Sequence, residues 1–399
     1  MEKENLKQLI LLGSQGDIEA QFQLGEYYFE QSSDAETDEE EEKFSAESIK
    51  WYTLAAQQGH AEAQRCLGEF SESGFCLEED DQEAAKWYRL AAEQGNITAQ
   101  YRLAELLMEG GWNLEADEEE AVKWFKRAAD QNDAESQARL GEYYLQNDDD
   151  DEAFKWFSLA AKQGEADAQY NLGCCYHLGV GVGEDRQQAF AWFKKAADQE
   201  YPSAEFMVGK FYRKYSADKA AGIAEAVKWY KRAAKHGNDD AQCQMGKYYT
   251  KGIGVRQDEQ KAFKCFQLAA ESGNAEAQYC LAECYVAGRG VEADTDKAVS
   301  WIYKAVEQEN EKAELFLAVC CLFGKYVPEN HKKAVKLFRK LAEQGTAEAQ
   351  FYLGQCYEWG TGVKQDFSKA ADWYLCAAKQ GHQEARKKLN LSDNDIIAD

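Results

Sequence analysis

Cys174, Cys175 and His177 come nearest, by type and spacing, to a reactive centre. Cys174 and His177 stand three apart, so a helix would put them on one face, where a thiolate and its base, or half of a zinc site, could assemble. No second pair of ligands accompanies them. Cys280, Cys284, Cys320, Cys321 and Cys356 fall at similar slots of other helices, so packing of small residues accounts for the whole set. The acidic runs Glu39 to Glu42 and Asp148 to Asp151 lack the alternation of a calcium loop and read as solvated loops. Turns of the form G-x-G-V, at Gly179 to Val182, Gly252 to Val255, Gly288 to Val291 and Gly360 to Val363, join two helices and lack the strand and signature residues of a phosphate cradle. The expectation is a protein with no catalytic residue, no metal and no cofactor.

The elements that must position any other site are repeated. Residues 346–381, TAEAQFYLGQCYEWGTGVKQDFSKAADWYLCAAKQG, hold two helical patterns about a Gly-Thr-Gly turn, and the rest of the chain varies this theme. One landmark of the second helix falls at Trp51, Trp87, Trp124, Trp156, Trp192, Trp229, Cys265, Trp301, Leu337 and Trp373, with gaps of 32 to 37 residues. Ten copies follow: 17–59, 60–95, 96–132, 133–164, 165–200, 201–237, 238–273, 274–309, 310–345 and 346–381. Residues 1–16 read as an N-terminal cap helix and residues 382–399 as a C-terminal cap helix and tail. A single hairpin buries too little to stand alone, so the copies must stack.

Each first helix carries A-x-A-Q-x-x-L-G-x-x-Y, an apolar stripe at spacings of three and four. The Gly or Ala after the Leu costs helix propensity and so must serve close packing. The second helix reads K-A-x-x-W-Y-x-x-A-A-x-Q-G, and its buried Trp should stabilise a copy by about 2 to 3 kcal/mol. Seven copies end in Gly and one in Asn132, residues that accept the left-handed cap; Glu200 and Glu309 break this rule, so looser or different turns are expected there.

Only two prolines, Pro202 and Pro328, occur in 399 residues, in keeping with an all-α chain. No run is long and apolar enough to span a membrane, and twelve cysteines without a repeating pair suit a reducing compartment, so a cytoplasmic protein is expected. Charge is uneven. Residues 1–200 hold 17 Lys and Arg against 45 Asp and Glu, a net of −28, whereas residues 201–399 hold 29 against 27. The first half has no basic footprint for nucleic acid and would suit a basic protein.

The repeated pattern AEAQxxLGxxYxxGxGVxxDxxKAxxWYxxAAxQG resembles the Sel-one-like repeat (SLR) family, relatives of tetratricopeptide repeats (TPR-like), over nearly the whole chain. The resemblance implies a right-handed α/α superhelix, a solenoid acting as adaptor or assembly scaffold. In a cysteine-rich secreted branch, paired cysteines and β-lactam activity would be implied; the slots concerned are Gln64 and Ala92 here, so this chain departs from that branch.

If the hairpins stack as in those relatives, first helices line a concave face. The slot two before Leu-Gly there is aromatic in six of ten copies, Phe22, Tyr101, Tyr170, Phe206, Tyr279 and Phe351 against Arg65, Ala138, Cys243 and Leu315, and these rings either pack between helices or anchor an extended peptide. Lys210, Arg213, Lys214, Lys247 and Lys251 form a basic cluster in copies six and seven, suited to a carboxylate or acidic motif. The leading functional reading is a non-enzymatic scaffold binding a protein or peptide. The alternative is an acidic inhibitor or immunity-type protein masking a basic toxin or nuclease surface, and the third is a thiol-dependent or β-lactam-interacting hydrolase.

Overall fold

The computed structural model describes residues 3–75 and 79–391, so the expected C-terminal tail lies, from residue 392 onward, outside the described residues. All regular structure among the described residues is helical. The chain forms two compact units, residues 1–199 and 200–399.

In the first unit α1 (Lys3–Ser14) precedes five helix pairs. These are α2 (Ile18–Ser33) with α3 (Asp38–Gln57), α4 (Ala61–Ser73) with α5 (Asp81–Glu93), α6 (Ile97–Glu109) with α7 (Glu118–Asp130), α8 (Ala134–Gln146) with α9 (Asp150–Gln163), and α10 (Ala166–Leu178) with α11 (Arg186–Asp198). The second unit contains α12 (Pro202–Tyr215) with α13 (Lys219–Lys235), α14 (Asp239–Lys251) with α15 (Glu259–Glu271), α16 (Ala275–Ala287) with α17 (Thr295–Glu307), α18 (Glu311–Phe323) with α19 (His331–Glu343), α20 (Ala347–Trp359) with α21 (Phe367–Lys379), and finally α22 (Gln383–Lys388). Within each unit the second helix of one pair packs on the first helix of the next.

Local chemistry sets the helix ends. Asp80, Asp117, Asp258, Asp294 and Asp366 each accept a bond from the backbone N–H three residues on, which satisfies a donor the helix leaves unpaired. Their own N–H groups return to the preceding helix, as Asp117 N to Leu107 O at 2.8 Å, and so fix the hairpin. The second glycine of the turn is confined where it occurs: a Cβ on Gly290 would lie 2.2 Å from Glu259 O, although Tyr326 takes the equivalent slot of another turn at φ 70°.

Three expectations need correction. The acidic run at Glu39 to Glu42 is not a loop but the exposed first turn of α3, capped by Thr37, where carboxylates favour the positive end of the helix dipole; Asp150 and Asp151 likewise open α9. Glu200 and Glu309 turn no differently from glycine, taking φ of 65° and 58°. The deepest ring is also not the landmark Trp. Trp51, Trp124 and Trp156 are buried as expected and Trp87, Trp192, Trp229, Trp301 and Trp373 only half-buried, whereas the residue after the landmark is sealed more completely: Tyr52, Tyr88, Phe125, Phe157, Phe193, Tyr230 and Phe338 lie in the core.

A second polar ladder joins the copies. The Gln of A-x-A-Q donates to a carbonyl at the end of the preceding helix, as Gln64 Nε2 to Ala56 O at 3.0 Å, and accepts from the Gln before the terminal Gly, as Gln94 Nε2 to Gln64 Oε1 at 2.7 Å. The pairs Gln58–Gln21, Gln131–Gln100, Gln163–Gln137, Gln308–Gln278 and Gln380–Gln350 repeat it. Each buried amide thereby keeps partners in a site where an unpaired one would cost about 1 to 3 kcal/mol.

Candidate partner-binding surface of the first helices

The aromatic row packs on the rings just described. Tyr101, Tyr170 and Phe206 sit 5.4 to 5.9 Å, centre to centre, from Phe125, Phe193 and Tyr230 of their own copies. Tyr279 instead meets Phe316 at 6.5 Å. These four are half-buried and keep one side open. Phe351 does not: at 8% exposure it is enclosed by Tyr374, Tyr352 and His382, so this ring offers no face to a partner.

The basic cluster is divided. Lys210 lies over the Phe206 ring and Lys214 over Tyr215. Arg213, Lys247 and Lys251 line one recess of about 500 Å³ with Ile253, Glu276 and Lys312. A neighbouring recess of about 250 Å³ shares Lys247, Lys251, Glu276 and Lys312 and adds Tyr279, Glu259, Glu283 and Arg289. Sequence reasoning missed Lys312 and Arg289, which enter from α18 and from the turn after α16.

The charges within this recess are unevenly matched. Glu276 receives both Lys247 at 2.5 Å and Lys312 at 3.1 Å. Burial pushes the Glu276 carboxyl up, but the hydrogen bonds from the two lysines outweigh it and hold the group below the usual range. Burial likewise opposes the Lys247 ammonium, and its bond to Glu276 more than offsets that, leaving its pKa raised. Glu283 accepts from the Tyr279 hydroxyl at 3.2 Å. Lys251 and Arg289 have no ion-pair partner among the described residues, and the Arg289 Nε is buried without a hydrogen bond. The recess thus holds four cations, Lys247, Lys251, Arg289 and Lys312, against three carboxylates, Glu259, Glu276 and Glu283, and Glu276 engages two of the cations.

In the first unit the same helical surface is acidic. A pocket of about 120 Å³ holds Glu105, Glu109 and Glu142 over Met108, Phe125 and Tyr143, and its single cation, Arg139, bridges Glu105 at 3.0 Å and Glu142 at 3.3 Å. Desolvation, then the charge of Asp167, holds the Glu142 carboxyl above the ordinary range; Glu135 is raised by burial and by Asp133 and Glu165.

The cysteines are core residues for the most part. Cys175 is buried, and burial pushes its thiol up to about 12, far from a nucleophile's range. Cys243 and Cys280 meet across α14 and α16, and the hydrogen bond from Cys243 lowers the Cys280 thiol. No group of three or more His, Cys, Asp and Glu among the described residues is placed to hold a metal ion, and no helix among them is long and apolar enough to cross a membrane.

These helix pairs, repeated with one set of turn, cap and core residues, define a helical-repeat solenoid protein. The chain belongs to the Sel1 repeat family: ten matches to that family's model cover residues 18–60, 61–96, 97–133, 134–165, 166–201, 202–238, 239–274, 275–310, 311–346 and 347–382. Among solved structures it is similar to a protective antigen of uropathogenic Escherichia coli strains with an SLR fold, at 28% identity and a TM-score of 0.71, over 98% of this chain and 92% of that one. It is also similar to a Sel1 repeat protein from Oxalobacter formigenes, at 33% identity and a TM-score of 0.65, over 79% of this chain and 91% of that one. No curated protein sequence matches the chain.

Proposed function

We propose that this protein is a non-catalytic interaction scaffold that takes an extended protein segment along its first helices and seats an acidic group of that segment in the recess of α14, α16 and α18. The observation that carries the reading is the pair Lys251 and Arg289, two cations facing a half-enclosed space with no ion-pair partner among the described residues, in a chain of net charge −26. A carboxylate would give the guanidinium the planar partner it lacks. The half-buried Tyr279 beside it supplies apolar contact for the neighbouring residue of the segment. In the same reading Arg213 extends the basic surface, and Lys210 and Lys214 lie at its margin. The test is fluorescence anisotropy with labelled peptides that end in a free or an amidated C-terminus after an acidic residue. Binding of the acidic peptides that drops at least tenfold in Arg289→Glu and Lys251→Glu supports the recess; equal binding by the variants refutes it.

A second reading is favoured by the charge of the first half. An inhibitor or immunity-type role, in which the acidic copies cover a basic surface, would place cations beside Glu135 and Glu142, which desolvation first and neighbouring carboxylates second hold above their ordinary range. Such binding would collapse as ionic strength rises, since exposed charges are screened within about 10 Å at 0.1 M salt.

A further inference from the structure

The turn between α6 and α7 carries a feature that neither reading above uses. From Gly110 to Asp117 it is one residue longer than the turn from Gly179 to Asp185, and the longer turn contains Trp112. That side chain is 84% exposed, the most open of the large apolar side chains among the described residues. Single exposed apolar groups are common and need no explanation. What distinguishes Trp112 is how firmly its backbone is held.

The Trp112 N–H donates to Asp81 Oδ2 at 2.6 Å, and Asp81 is itself buried. Gly111 allows this approach, because a Cβ there would come within 2.1 Å of the same oxygen. Asn113 donates to Asp80 Oδ1 at 2.9 Å, and Gln82 Nε2 donates to Asn113 O at 2.6 Å. Leu114 closes the turn through Gly111 N to Leu114 O at 2.9 Å and packs on the core. With its backbone held in this way, only the two side-chain torsions of Trp112 remain to be ordered on binding, a small cost for an interface anchor. Its surroundings are acidic: Glu109, Glu115, Asp117, Glu118 and Glu119 are exposed on either side of it.

We propose that Trp112 is the anchor by which the first unit holds a basic segment of a partner protein. An arginine or lysine side chain of the segment stacks on the indole face, and the flanking cations pair with Glu109, Glu115 and Glu118. This rests on the reading of the acidic half as the seat of a basic partner, and it names the residue that would turn a diffuse charge attraction into a located one.

The test uses the full chain and a peptide of alternating Arg and Gly, with an alternating Glu and Gly peptide as control. In NMR spectra the Trp112 indole N–H signal, assigned by its disappearance in Trp112→Phe, should move on adding the Arg peptide and stay still with the control. Trp112→Ala should weaken binding about fivefold, while Trp112→Phe keeps most of it. Both variants should melt like the wild type, because the side chain is solvent-facing. Equal binding by Trp112→Ala and the wild type would remove the anchor and leave the basic-partner reading standing. Absence of any binding by the wild type at low salt would overturn both.

Discussion

The Tyr88 ring lies flat against Gly68: a Cβ at that glycine would sit 2.6 Å from the ring carbons. Tyr88 is fully buried and its hydroxyl donates to Glu72 at 2.6 Å, so the ring can neither withdraw nor rotate without losing a bond. Gly25 with Tyr52, Gly173 with Phe193 and Gly354 with Tyr374 repeat the fit. Gly68→Ala should therefore destabilise the protein by about 1 to 3 kcal/mol, as overpacking does, even though alanine is the better helix former. Urea unfolding followed by circular dichroism would measure it. A variant as stable as the wild type would show that the helices part easily.

One glutamine of the ladder lacks its donor. Gln242 keeps its bond to Ala234 O, but its Oε1 has no partner, because the residue that would donate to it is Ser272, where most copies have Gln. Ser272→Gln should supply the missing donor and stabilise the second unit by about 0.5 to 1.5 kcal/mol. Thermal melts of the variant, beside Gln94→Ala as the opposite change, would give the comparison. Gln94→Ala leaves the Gln64 Oε1 buried and unmet and should lower stability.

Much of this was legible in the sequence because the same residue types recur at one period: the Ala, Leu and Gly of the first helix and the aromatic pair of the second announce both helices and their packing faces. The recurrence also led the reading astray. Trp87 and its half-buried equivalents are the more conspicuous residues, yet helical rotation puts the following ring, as Tyr88, deeper on the inner side. The basic recess was half legible. Arg213, Lys247 and Lys251 stand out as cations, but Lys312 reaches Glu276 across 36 residues and Lys247 reaches it across 29. Which charge cancels which depends on the spacing between stacked copies, and no local pattern records that. Trp112 escaped for the opposite reason, since it occurs once.

Glu309 takes a left-handed backbone, φ 58°, in a place where most copies have glycine. That conformation costs an L-residue about 1 to 2 kcal/mol, partly offset by the greater freedom glycine loses on folding. Its exposed ion pair with Lys340, at 3.2 Å, contributes little, because Lys340 also reaches the buried Glu314 at 2.8 Å. Glu309→Gly should raise stability by about 0.5 to 1 kcal/mol, seen as a higher melting temperature. Glu309→Ala should gain nothing, since alanine meets the same backbone restriction.

Glu142 links stability to pH with a definite sign. Desolvation first, and the Asp167 charge second, raise its pKa in the folded protein above the unfolded value, so the fold favours the protonated form. Between those two values the folded state binds more protons than the unfolded one, and stability falls as pH rises through the window. Above the raised pKa the whole penalty is present. Glu142→Gln removes the charge while keeping the shape, so the variant should be more stable than the wild type at neutral pH and lose that advantage as the pH drops through the carboxylate range. Denaturant unfolding of both proteins at a series of pH values would trace the difference. A stability gap that stays constant across the series, or one that grows in acid, would mean that Arg139 already compensates Glu142 fully, and that the acidic pocket carries no repulsion for a basic partner to relieve.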